Sequence, residues 1–395
     1  MRLRSALATT AAALAAATCL TAAGPADART NTLTGSALTG ASLTGSTLTG
    51  KSPTGGSLTG KSPTGGSLTG KSPTGGSLTG KSPTGNACSG SVSLDRFSDV
   101  LDKTTFQGTF VGNFSALAVD RDGTLAALSD RSSLFSLNSL TLAPVSVVHL
   151  ADEQGADLDS EGLVIDRDGT RLVTSETEPS IRRYSKSGTL LERLPVPASL
   201  QVAPAGRATS NGTFEGLTLL PGGRTLIASM EYALSGDDAG TVRFQTWQRG
   251  RDGRFRLGAQ YAYRVDAGLG VPEVQATPDG RLLVLERGFT SGVGNTVRLY
   301  AADPRGATDV SGVENLTGQS GVRLIKKTLL TDIAACPTLG ATAKQPQPNP
   351  LLDNIEGMTI TGRDRGRLKV LLISDDNENT TQTTRAYTLS VRLPR

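Results

Sequence analysis

The chain has 395 residues, 37% of them hydrophobic, with 40 Lys and Arg against 36 Asp and Glu and a single histidine. The first 87 residues hold seven cations and one anion, which leaves 33 basic and 35 acidic residues beyond them, so the net charge of +4 belongs to the N-terminal segment. A near-neutral remainder offers no basic surface to nucleic acid, and one histidine, His149, excludes phosphohistidine acid phosphatases and His-rich zinc sites.

Arg2 and Arg4 precede an Ala-rich apolar run to about Ala23, and Ala26-Asp27-Ala28 has the small-x-small form of a cleavage site. This is the layout of a secretory signal peptide over residues 1–28, with cleavage expected after Ala28. The run is too short and too diluted by Thr to anchor the chain, and no later stretch has the roughly 18 consecutive apolar residues of a transmembrane helix. A secreted, monomeric protein is expected.

Residues 29–87 are almost entirely Thr, Gly, Ser, Leu, Pro and Lys, settling into the decamer Lys-Ser-Pro-Thr-Gly-Gly-Ser-Leu-Thr-Gly. Such a segment has too little apolar surface to offset its ordering entropy, and a disordered low-complexity linker is predicted. Its evenly spaced Lys51, Lys61, Lys71 and Lys81 suggest contact with an anionic cell wall. Gly55 to Ser62 matches the P-loop pattern letter for letter. That motif needs a strand before it and a helix after it, and Pro53 and Pro63 permit neither. Nucleotide binding is therefore rejected.

Two cysteines lie beyond the signal peptide, Cys88 and Cys336. In an oxidising compartment such a pair predicts a disulfide, here tying the start of the domain over residues 88–395 to its last quarter.

From Cys88 onward, short apolar runs alternate with Gly, Asp, Pro and Ser, which is the signal of strands and hairpins. No stretch sustains helical spacing over a dozen residues. The runs group into repeating units. The first has strands at Ala116–Val119, Leu125–Leu128, Ser133–Leu137 and Pro144–Leu150. The second takes Leu163–Ile165 to Leu190–Leu194, the third Leu217–Leu220 to Arg254–Arg264, and the fourth Val274–Thr277 to Leu324–Leu330. A fifth has only three strands, ending at Tyr387–Leu393, and Val92–Leu101 is free to supply its fourth. That pairing would close a ring and remove its sheet edges. The fold expected is an all-β propeller of five four-stranded blades. The long segment 303–350 leaves a sixth open.

Each unit repeats an acidic pattern. Ser115, Glu161, Glu215, Glu273 and Glu356 stand at the strand starts, spaced by 46, 54, 58 and 83 residues. Asp130, Glu176, Glu231, Glu286 and Asp375 end the following strands. In a propeller these positions meet around the central channel, although they are far apart in sequence. An acid before Gly is often only turn chemistry, but four copies with matching neighbours favour a functional ring. Crowded carboxylates need an arginine, a shifted pKa or a cation, and oxygen-only ligation suits Ca2+.

Asp157-Leu-Asp-Ser-Glu-Gly-Leu, Asn211-Gly-Thr-Phe-Glu-Gly-Leu, Asn354-Ile-Glu-Gly-Met and the closing Ile373-Ser-Asp-Asp-Asn, with Gln382 and Arg385, resemble the acidic blocks of the phytase-like domain family, described as esterase-like activity of phytase. The resemblance covers about Asn113 to Leu393 and implies a secreted propeller-like domain acting on a small phosphoester. The pattern of the calcium-dependent β-propeller phytases is absent, so no residue is carried over from them. The leading expectation is a calcium-dependent phosphoric ester hydrolase. Asp159, Glu161, Glu215, Glu273, Glu356, Asp375 and Asp376 would hold metal, with Glu161, Glu215 and Glu356 also catalytic. Arg131, Arg287 and Arg385 would steady phosphate oxygens. The alternative is a non-catalytic extracellular binding propeller with a structural Ca2+.

Overall fold

A computed structural model describes residues 85–395. The expected signal peptide, nearly all of the repeat linker and its cell-wall contact lie outside the described residues. Strand β1 (Val92–Ser98) and a small hairpin of β2 (Thr104–Phe106) and β3 (Thr109–Val111) come first. Blade one is β4 (Phe114–Val119), β5 (Leu125–Ser129), β6 (Ser133–Leu137) and β7 (Pro144–His149). Blade two is β8 (Ser160–Ile165), β9 (Arg171–Ser175), β10 (Ser180–Tyr184) and β11 (Leu190–Arg193). Blade three is β12 (Phe214–Leu219), β13 (Thr225–Met230), β14 (Thr241–Arg249) and β15 (Phe255–Arg264). Blade four is β16 (Gly270–Ala276), β17 (Leu282–Thr290), β18 (Gly294–Asp303) and β19 (Lys326–Asp332). Blade five joins β20 (Ile355–Asp364), β21 (Arg367–Ser374) and β22 (Ala386–Val391) to β1.

The ring thus closes as the sequence predicts, with β1 antiparallel to β22 from Val92 opposite Val391 to Ser98 opposite Ala386. Among the described residues there are five four-stranded sheets, and the long gap holds β19, loops and a short 3-10 turn rather than a sixth blade.

The apolar runs lack a clean alternation because most strands are covered on both faces. In β5, Leu125 and Ala127 pack toward blade five, whereas Ala126 and Leu128 pack toward blade two. Five of the hydrophobic clusters fill the five interfaces between neighbouring blades, one per interface. Between blades two and three, Phe214 meets Trp247 edge-on at 5.8 Å, and the indole Nε1 donates to the Pro195 carbonyl at 2.7 Å. This uniform packing holds the inner strands β4, β8, β12, β16 and β20 around one axis.

Cys88 and Cys336 form the predicted disulfide, 248 residues apart in sequence. It joins the segment leading into β1 to the loop after β19, and the Ser89 hydroxyl donates to the Leu330 carbonyl within β19. Closing so long a loop restricts the unfolded chain, and replacing both cysteines by Ser should cost about 5 kcal/mol in the loop-entropy picture. Urea unfolding of the double variant, beside the wild type with and without reductant, measures this. A change under about 1 kcal/mol would contradict the entropic account.

Candidate functional site

Each inner strand carries one extra residue near its start, so its pairing with the second strand slips there. Such a bulge leaves a residue out of the ladder and re-aims its side chain. Taking the first paired residue as origin (Phe114, Ser160, Phe214, Gly270 and Ile355), the next position is Ser115, Glu161, Glu215, Val271 and Glu356. Three glutamates and a serine therefore project from equivalent bulges. The glycine after each glutamate has a separate cause. A Cβ on Gly216 would lie 2.5 Å from the Val274 nitrogen, and one on Gly162 would lie 2.4 Å from the Glu215 carbonyl oxygen. Neighbouring inner strands approach too closely there for any side chain.

The second acidic set follows the second strands. The amides of Asp130, Glu176, Glu231 and Asp375 donate to the carbonyls of Asn113, Asp159, Thr213 and Asn354, and these bonds tie each strand end to the start of its blade. Both sets open into one cavity of about 380 Å³, lined by eight carboxyl groups and one cation, Arg287. Asp159 completes the eight. A larger groove of about 660 Å³, lined by Phe97, Leu125 and Leu140 among others, contains no acidic residue.

Arg287 Nη2 donates to Glu356 Oε1 at 2.8 Å and lies 3.5 Å from Glu231 Oε1. Asn354 Nδ2 donates to Glu356 Oε1 at 2.9 Å and to Asp375 Oδ2 at 3.3 Å. Burial opposes charge on Arg287, but Glu356, Glu231 and Glu215 outweigh it and hold the guanidinium firmly protonated. One arginine does not offset the acids. Burial, reinforced by Asp375, raises Asp130 to about 7, and burial with Glu231 raises Glu176 to about 7. Glu356 is raised to about 7 by burial in spite of Arg287, and Asp375 to about 8 by burial and Glu356. Glu161 and Glu215 are pushed well above the usual carboxylate range by burial and by each other's neighbours.

Not every predicted residue reaches this cavity. Glu273 stands two positions beyond the blade-four bulge, and its carboxylate accepts from the Val274 and Leu217 amides at 2.9 and 3.3 Å. Register also separates Glu286 from the strand-end acids. It is buried in blade four, accepting from Tyr263 Oη at 2.6 Å, Lys327 Nζ at 2.6 Å and the Asp266 amide at 2.9 Å. Asp376 pairs with Lys103 and accepts from the Asn113 amide at 3.1 Å. Arg385 binds Asp99 at 2.6 and 2.8 Å, donates to the Pro350 carbonyl and lies over the Phe97 ring, so it secures the closing blade. Arg131 is 67% exposed at its side chain and 3.6 Å from Asp130, outside the lining. His149 pairs with Asp157 at 3.0 Å, also outside it. Asn295, Tyr232 and Phe289 line the cavity without any repeating signal in the sequence to mark them, while Asn354 opens one of the acidic blocks.

The family described as phytase-like, esterase-like activity of phytase, matches residues 109–378. The chain belongs to this family. No curated protein sequence matches it. Similar solved structures include a candidate gluconolactonase at 13% identity, covering 73% of this chain and 78% of that one with a TM-score of 0.39. A gluconolactonase of Xanthomonas campestris is 16% identical over 72% of this chain and 73% of its own, with a TM-score of 0.36. A Bacteroides caccae protein of unknown function is 10% identical over 65% and 68%, with a TM-score of 0.31.

The phytase-like domain has a donor set suited to a hard cation. Asp159, Glu161 and Glu176 can bring one oxygen each within 4.8 Å of one another, and so can Glu176, Glu215 and Glu231. Ser115 Oγ and Asp130 Oδ1 are buried without hydrogen-bond partners at the same cavity. All the donors are oxygens, which fits Ca2+ or a similar ion rather than zinc. Among the described residues no helix is long and apolar enough to cross a membrane.

Proposed function

We propose that this phytase-like domain is a secreted, calcium-dependent phosphoric ester hydrolase. The observation carrying the reading is the charge imbalance of the cavity: eight carboxyl groups face one guanidinium. As these acids ionise, an anionic ester would be repelled by such a site unless cations were bound first. Asp159, Glu161, Glu176, Glu215 and Glu231 would hold them. Calcium bound there would supply Lewis-acid polarisation of a phosphoryl oxygen and a water of lowered pKa.

The chain's own groups supply the rest. Arg287 donates to a phosphoryl oxygen, held in place by Glu356 and Glu231. Glu356, oriented by Asn354 and Arg287, accepts the proton of the attacking water. Asp375, whose protonated form is favoured by burial and by Glu356, gives a proton to the departing oxygen. The disulfide supports an extracellular setting.

Glu215→Gln keeps the side chain's shape and removes one anionic ligand. Its turnover of phosphomonoesters in saturating Ca2+ should fall by roughly a hundredfold or more, with the apparent Ca2+ affinity down about tenfold. The assay covers monoesters, diesters and phytate, with chelator and with Ca2+. Wild-type protein inert on every phosphoester, yet still raised in melting temperature by Ca2+, would leave the binding propeller as the reading.

A further inference from the structure

The hairpin of β17 and β18 in blade four extends past Arg287, with Phe289 directly opposite Asn295. Side chains two apart on a strand share a face, so Arg287 and Phe289 project together, and both line the acidic cavity with Asn295. The Asn295 amide hydrogen goes to Gln347 Oε1 at 2.7 Å, which fixes the residue's position. Its side chain is 1% exposed, and Nδ2 has no partner. An unpartnered buried donor costs about 1–3 kcal/mol, which a ligand's acceptor oxygen would recover.

Two aromatic surfaces adjoin this donor. Phe289 is 57% exposed and Tyr232 is 42% exposed, at a cavity whose other walls are polar. The Tyr232 ring lies against Gly212 and Gly270, where no side chain stands in its way. A Cβ on Gly212 or Gly270 would lie 2.9 or 3.0 Å from its ring atoms.

We infer that the substrate is an ester of one phosphoryl group with an aromatic or otherwise flat, apolar alcohol. This rests on the phosphoester reading above. The phosphoryl group lies at Arg287 and Asn295, and the organic part lies against Phe289 and Tyr232. A polyphosphorylated polyol would bring several dianions to a cavity lined by one arginine, and its hydrophilic ring would gain little from aromatic walls. In the reaction a water oxygen bonds to phosphorus and loses a proton to Glu356, while the bond from phosphorus to the alcohol oxygen breaks and that oxygen takes a proton from Asp375.

The test uses calorimetric binding, in Ca2+, of phenylphosphonate and methylphosphonate, neither of which can be hydrolysed at a P–O ester bond. It is paired with turnover of phenyl phosphate, ethyl phosphate and inositol hexakisphosphate. Phenylphosphonate should bind about tenfold tighter than methylphosphonate. Phe289→Ala and Tyr232→Ala should each weaken phenylphosphonate about fivefold more than methylphosphonate, and Asn295→Ala should weaken both alike. Equal binding of the two phosphonates, or faster turnover of inositol hexakisphosphate than of phenyl phosphate, overturns this inference and leaves the phosphoester reading standing. Neither phosphonate binding, with no ester turned over, overturns both.

Discussion

Metal-free protein should lose stability steadily as the pH rises from about 4.5 to 8, and Ca2+ should restore it most at the alkaline end. The direction follows from the buried acids. Glu176 and Glu356 are raised to about 7 from the ordinary 4.5, and Asp130 and Asp375 to about 7 and 8 from 3.8. A carboxyl that holds its proton more tightly folded than unfolded favours folding fully below its unfolded pKa. That contribution disappears as the pH passes through the folded value, so the loss spans the interval between them. Cations bind the deprotonated form and compete with these protons, which makes apparent affinity climb over the same interval. Saturation at about a thousand times the dissociation constant adds about 4 kcal/mol. Melting temperatures from pH 4 to 9, in chelator and in Ca2+, read the effect. A Ca2+ shift of the same size at pH 5 and pH 8 would contradict it.

Arg287→Met should be the most damaging single change at the site. Arg287 is the one cation lining the cavity, and it contacts Glu356 at 2.8 Å. Methionine fills part of the space but leaves Glu356 and Glu231 buried without their guanidinium. Removing one partner of a buried pair costs about 3–5 kcal/mol. The loss should be seen at pH 8 in chelator and should shrink toward pH 5, where the acids are protonated. Phosphoester turnover should fall by about two to three orders of magnitude, as expected when a donor to the developing phosphoryl charge is lost. Arg287→Lys keeps the charge but not the planar fork and should lie between. Urea melts at both pH values, with kcat and KM, check this. Equal destabilisation at pH 5 and pH 8 would show that packing, rather than charge, is what Arg287 contributes.

Much of the site can be located from local pattern. Glu161, Glu215 and Glu356 precede Gly because two physical demands act on adjacent residues, one from the cavity and one from the close approach of the next blade. Glu273 imitates the pattern without obeying it. In Pro272-Glu273-Val274 the acid sits where Leu163 and Leu217 stand in blades two and three, and Val271 occupies the bulge. Arg385 was equally misleading. It directly precedes β22, whereas Arg287 lies within β17, and it turns to Asp99 and the Phe97 ring on the closing blade.

The sequence by itself determined the short doubly buried strands, the ring closed by Val92–Leu101, the Cys88–Cys336 bridge and the recurrence of acids on one side of the repeat. These depend on composition and spacing, which a single chain displays openly. Only the tertiary structure decided which acids meet. One extra residue per inner strand sets which side chains face the axis, and a shift of two residues removes Glu273 and Glu286 from the cavity. Blade four thereby places Val271 and Gly288 where blades two, three and five place carboxylates, and supplies Arg287, opposite Gly270, from the position before Gly288. That exchange leaves a single guanidinium among the acids, and it depends on strand register that spacing along the chain does not reveal.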